Sequence, residues 1–118
     1  MVLERNKLIF FIGAFLAIVK ANFATGQVVQ SVGEAKKSSV RVYISDFPDT
    51  ADLHVFVVTS KKQAIGNQGL WYFQDSQTYA QKKIFFVEEK SAADLSIYFV
   101  EEKSQARWIN NRKMKLLE

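Results

Sequence analysis

IFFVEEKSAADLSIYFVEEKSQARWI, from Ile84 to Ile109, is one thirteen-residue phrase written twice in succession. Its halves agree in their apolar openings (Ile84-Phe85-Phe86-Val87 and Ile97-Tyr98-Phe99-Val100), in Glu88-Glu89-Lys90-Ser91 against Glu101-Glu102-Lys103-Ser104, and in an alanine at the tenth place. The phrase can be followed backwards through WYFQDSQTYAQKK from Trp71, VFVVTSKKQAIGN from Val55 and VYISDFPDTADLH from Val42, interrupted only by Gln68, Gly69 and Leu70. Its second place is aromatic each time (Tyr43, Phe56, Tyr72, Phe85, Tyr98). Its tenth is alanine each time (Ala51, Ala64, Ala80, Ala93, Ala106). Self-similarity at a fixed period marks a repeat architecture, here of about five β units.

Each copy opens on three or four β-branched, aliphatic or aromatic residues, which favour strand over helix. Side chains alternate along a strand, so places one and three share a face and places two and four share the other. Both faces are largely apolar, which predicts strands covered on both sides by other copies. A small side chain at one fixed place predicts a close crossing of segments at the alanine, where Ala93→Leu would overpack. The polar half of each copy, including Pro48, reads as solvated turn.

Working outward, a sixth copy from Val29 would carry Gln30 at its second place and Ser38 at its tenth. The polar, small composition of Gln27–Ser39, with Gly33 and Lys36-Lys37, reads instead as a flexible leader. Upstream, Arg5 and Lys7 precede an apolar run from Leu8 to Val19, followed by Lys20 and the small residues Ala21, Ala24 and Gly26. This is the pattern of a signal peptide over residues 1–26, and the run is shorter than the ~20 residues that span a bilayer. The expectation is export to the periplasm or beyond. At the other end, Trp108 and Leu116-Leu117 read as a cap on the repeat domain, residues 40–118.

The 118-residue chain has the composition of one globular domain and a formal net charge of +4. Arg5, Lys7 and Lys20 against Glu4 account for half of that charge, so the remainder has no dense basic face and nucleic acid is not expected as a partner. The absence of cysteine excludes a disulfide framework, a thiolate nucleophile and an all-thiolate zinc site. Packing alone must hold the fold.

Chemistry is sparse. His54, the only histidine, lies near Asp46, Asp49 and Asp52, a set that offers metal ligands or an acid and base, yet reads better as solvated turn surface. Glu88-Glu89 and Glu101-Glu102 occupy the same repeat places beside lysines and read as charged surface rather than paired catalytic acids. No phosphate loop, nucleophile elbow or zinc-protease helix occurs. No enzymatic activity, cofactor or metal is expected. A ligand site, if one exists, is placed at the irregular insertion, on Gly66, Gly69 and Trp71, although Trp71 at the first place of its copy also fits a core residue.

These residues resemble the bacterial septoil-knot domain family, whose unit runs close to (I/V)-Y-F-V-x-x-x-S-Q-A-D. The likeness is carried by IYFVEEKSQA from Ile97, IFFVEEKSAADL from Ile84, the interruption GNQGLWYF from Gly66 and the ending RWINNRKMKLL from Arg107, and it spans about residues 40–117. Periodicity alone suggests a short β-solenoid or a meander sandwich. The resemblance implies instead an all-β domain whose backbone winds around itself as a deep seven-crossing knot, with no assigned activity and no site residues to transfer. Pro48, Gln74 and Arg107 depart from the unit, and the first two predict looser, edge-like copies. The function expected is that of an exported structural or envelope-associated domain, with a carbohydrate- or protein-binding module as the alternative.

Overall fold

Strand and 3₁₀ turn alternate along the chain in the computed structural model, which describes residues 27–75 and 82–118. The signal-peptide reading of residues 1–26 and the repeat alanine Ala80 lie outside the described residues. The strands are β1 (Gln27–Ser31), β2 (Val40–Ile44), β3 (Leu53–Val57), β4 (Leu70–Phe73), β5 (Lys82–Val87), β6 (Leu95–Phe99) and β7 (Arg107–Trp108). Five of them are followed by a single 3₁₀ turn: Ala35–Lys37, Pro48–Thr50, Lys61–Gln63, Lys90–Ala92 and Lys103–Gln105. A longer 3₁₀ helix, Asn111–Leu117, ends the chain. The fold is all-β, as expected.

The tenth place closes each turn. Backbone N–H groups of Ser38, Ala51, Ala64, Ala93 and Ala106 donate to the carbonyls of Ala35, Pro48, Lys61, Lys90 and Lys103 at 3.0 to 3.3 Å. Ala51 and Ala64 are buried, whereas Ala93 and Ala106 are only partly so. A uniform close crossing at the alanine is therefore corrected. The tight approach is at Gly69, where a Cβ would strike the carbonyl oxygen of His54 and would meet Ala106 Cβ at 3.4 Å.

Around the sheet the strands run β4-β1-β5-β2-β6-β3, and β3 pairs again with β4, so the parallel sheet closes into a ring. β7 adds to β3 antiparallel. Every pairing in the ring has the same two-residue stagger, in which the first place of one strand lies opposite the twelfth place of the copy beside it. Trp71↔Gln27, Val29↔Lys82, Ile84↔Val40, Val42↔Leu95 and Ile97↔Leu53 show it directly. A constant stagger tilts all strands alike, as closure of a barrel requires.

Successive strands are not neighbours in this ring. The chain steps from β1 over β5 to β2, then over β6 to β3, and later from β5 over β2 to β6. Three of these 3₁₀ turns pack on the strand they pass: Ala35–Lys37 on β5, Lys90–Ala92 on β2 and Lys103–Gln105 on β3. Parallel connections usually need a dozen residues and a helix. Here one skipped strand and one turn suffice. A third step of two from β3 would land on β1. The insertion Gln68-Gly69-Leu70 accompanies the one step to an adjacent strand, from β3 to β4, and the second circuit then interleaves with the first. Neither a solenoid, which stacks consecutive copies, nor an antiparallel meander pairs strands this way.

The interior is filled in layers. Val29, Val42, Val55, Trp71, Ile84 and Ile97, all at the first place, are each 0% exposed, and Val40, Leu53 and Leu95 form the layer below. Full burial of an aliphatic side chain stabilises by about 1.5–3 kcal/mol. The second-place aromatics Tyr43, Phe56, Tyr72, Phe85 and Tyr98 point outward and are half-buried, since a crossing turn covers only part of the outer face. This corrects the expectation of strands covered fully on both sides. At the third place, Ile44 is 43% and Val57 42% exposed at the strand ends.

Two more expectations are overturned. Gln27–Ser31 is no flexible leader but β1, hydrogen-bonded on both edges, with Val29 in the core. Nor are the copies bearing Pro48 and Gln74 edge-like. Pro48 begins a 3₁₀ turn, where its fixed φ and missing N–H cost nothing, and both β2 and β4 have partners on either side. At the strand starts the final helix packs across the ring: Leu117 is buried, its carbonyl accepts from Gln27 Nε2 at 3.1 Å, and the Glu118 carbonyl accepts from Lys82 Nζ at 2.6 Å.

Candidate functional site

The insertion residues form a joint. Trp71 lies inside the ring, 0% exposed, with its ring edge-on to Phe73 at 5.9 Å between centroids. It therefore offers no face to a ligand, and its assignment to a binding site is corrected. Gly69 is buried at φ +92°, and its carbonyl accepts from Phe56 N–H at 2.8 Å. Gly66, at φ +69°, turns the chain with no atom near its Cα side. Between them Asn67 grips the chain end: its carbonyl accepts from Trp108 Nε1 at 2.9 Å and its Nδ2 donates to the Met114 carbonyl at 2.9 Å. The positive-φ glycines thus serve a contact between the insertion and the C-terminal segment.

The acidic residues near His54 are also dispersed in role. Asp52 Oδ2 accepts from Ser96 N–H at 2.8 Å and Lys113 Nζ at 3.3 Å, and Oδ1 accepts from Asn110 Nδ2 at 3.2 Å. Asp46 and Asp49 are exposed. Among the described residues no three His, Cys, Asp or Glu side chains converge as a metal site would need. Glu88, Glu89, Glu101 and Glu102 are exposed as well, and Glu102 forms a reciprocal capping box with Gln105 over the turn Lys103–Gln105.

What the fold does build is a groove of about 590 Å³ on the outer face of the ring. Its floor is the paired residues His54 of β3 and Tyr98 of β6, whose rings are tilted at 59° with centroids 5.6 Å apart. Pro48, Phe99 and Val100 add apolar wall, and Glu101, Ser104, Gln105 and Arg107 add polar groups from the last crossover. The shape follows from the topology: the turn Pro48–Thr50 leaves β2 while Lys103–Gln105 passes over β3, and the two bound the space between. The His54 ring is anchored by a 2.8 Å hydrogen bond between Nε2 and the Pro48 carbonyl. A carbonyl oxygen only accepts, so Nε2 is the donor.

Of the residues singled out in the sequence, Tyr98 and His54 meet in this groove, while Gly66, Gly69 and Trp71 do not line it. Ser104, Gln105 and Arg107 were not singled out as site residues. Their signal was the departure at Arg107, which stands where the copies from Val42 and Ile84 carry Asp52 and Asp94. A second depression of about 460 Å³ lies across Ser104, lined also by Gln68, Leu70, Lys103 and Ala106.

Comparison with known proteins rests on one match. No curated protein and no solved structure shows significant similarity to this chain. A family described as the 7(1) septoil knot domain matches residues 25–109, a span that begins ahead of β1 and ends just past Trp108. It covers every strand of the ring, so the chain belongs to the septoil-knot domain family.

Proposed function

We propose that this protein is a non-enzymatic structural domain of the bacterial cell envelope or its exterior, exported by residues 1–26, whose repeat units are threaded into a deep seven-crossing knot. The observation that carries this reading is the interleaving of the two circuits. Each of β1 to β6 has a hydrogen-bonded partner on both edges, and in every pair but β3–β4 the partner is not the next strand in sequence. Withdrawing one strand therefore breaks two ladders at once and requires the crossovers above it to move. Local opening, which proteases exploit, is costly in such a ring. Resistance to unfolding is the function, and it suits a cysteine-free chain that must survive outside the cell without disulfides.

Digestion of the full chain with a broad-specificity protease tests the proposal. The expected result is removal of residues ahead of β1 and long persistence of the remainder. Rapid cleavage within residues 42–106 would sink it.

A further inference from the structure

We infer that the outer groove between β3, β6 and the last crossover is a saccharide-binding site. Its volume of about 590 Å³ falls within the range of small-ligand clefts, roughly 300–1,000 Å³. Two features of the lining select a polyhydroxylated ring. One is the aromatic floor, where the Tyr98 and His54 rings can pack against the C–H face of a pyranose. The other is the set of flat, two-pronged polar groups above it: the Glu101 carboxylate, the Arg107 guanidinium and the Gln105 amide, joined by the Ser104 hydroxyl. Groups of this kind match pairs of adjacent hydroxyls, which both donate and accept.

The groove is also held in place. His54 and Tyr98 are register partners on adjacent strands, and the imidazole is tied to the Pro48 carbonyl. Gln105 Oε1 accepts from Glu102 N–H at 3.2 Å, which leaves its amide nitrogen to donate outward. Rigid placement reduces the ordering cost of binding. Glu101 and Arg107, by contrast, make no ion pair among the described residues and are exposed at the rim.

Charge distinguishes this ligand class from its rivals. One guanidinium against one carboxylate leaves no net attraction for phosphate or polyanion, and the polar groups beside the apolar wall suit neither a lipid chain nor a wholly apolar molecule. The site needs the ring and its crossovers but not resistance to proteases, so protease sensitivity of the domain would leave it standing.

The test is amide NMR of the full chain titrated with cellobiose, N,N′-diacetylchitobiose and digalacturonic acid, each up to its solubility limit. Saturable shifts at His54, Tyr98–Glu101 and Ser104–Arg107 with at least one neutral sugar are expected. Arg107→Gln and Glu101→Gln, both at exposed positions, should each weaken binding about tenfold or more while the spectrum stays dispersed, since each removes a charged hydrogen-bonding partner. Absence of saturable shifts with all three sugars, shifts centred elsewhere, or affinity unchanged in both variants would overturn the assignment. So would binding of digalacturonic acid alone that depends on Arg107 and ignores Glu101, which would mark simple anion attraction.

Discussion

Asp52 and Ser96 are joined twice across the sheet: Asp52 N–H donates to the Ser96 carbonyl at 2.8 Å, and Ser96 N–H donates back to the Asp52 carboxylate at 2.8 Å. Asp94 and Arg41 repeat the arrangement with the same two distances. In both cases an aspartate directly after the turn-closing alanine pins the start of the strand beside it. The difference is burial, since the Asp52 side chain is 16% exposed and that of Asp94 40%.

Asp52→Ala should therefore lower stability by about 1–3 kcal/mol, because the buried Ser96 N–H loses its acceptor while Asn110 and Lys113 lose theirs. Asp94→Ala should cost about 1 kcal/mol or less, solvent being at hand to replace the carboxylate. Urea midpoints at unchanged slope measure both. Equal losses would show that the pair of hydrogen bonds between the strands, not its burial, sets the value.

The glycines should rank by geometry. Gly69→Ala combines a left-handed φ with a collision against the His54 carbonyl and should destabilise most, by more than about 3 kcal/mol, or prevent folding. Gly66→Ala has open space but positive φ, for a cost of about 1–2 kcal/mol. Gly33→Ala meets neither obstacle and should be neutral or slightly stabilising. Thermal unfolding of the three variants gives the order directly.

Trp71→Ala empties the middle of the ring, and loss of about 3–5 kcal/mol is expected. Loss of ligand binding with stability retained would contradict its place in the core.

The repeat alanines should divide into two classes. Ala64→Leu and Ala51→Leu force a larger side chain into buried space and should cost about 1–3 kcal/mol, whereas Ala93→Leu, at a half-open position, should stay within about 1 kcal/mol. Chemical denaturation separates them. A large loss at Ala93 would restore the close crossing there.

Strand positions were legible because composition reports them: the β-branched and aromatic openings at Val42, Val55, Ile84 and Ile97 all lie in strands. The chain order in the ring was not, since periodicity is the same whether consecutive copies pair or skip a neighbour. Only Gln68-Gly69-Leu70 hinted at a change of phase. β1 was misread because Gln27, Gln30 and Ser31 are polar by composition, and its strand state comes from distant partners, β4 and β5. At the groove, His54 and Tyr98 belong to different copies, so their meeting depends on a register that no local pattern records. Trp71 carried two readings in the sequence, and burial decides between them.

The pairing of the ring divides the molecule into two sets. All partners of β1, β2 and β3 belong to β4, β5, β6 or β7, and the reverse also holds. While residues 27–57 leave the ribosome, not one of their native ladders can form, for the complementary strands have yet to be translated. The nascent first half must wait as an unpaired template, and the second half is at once its product and its lock. Severed between β3 and β4, the chain would yield two pieces, neither able to make a native sheet contact alone, that should reassemble only as a pair.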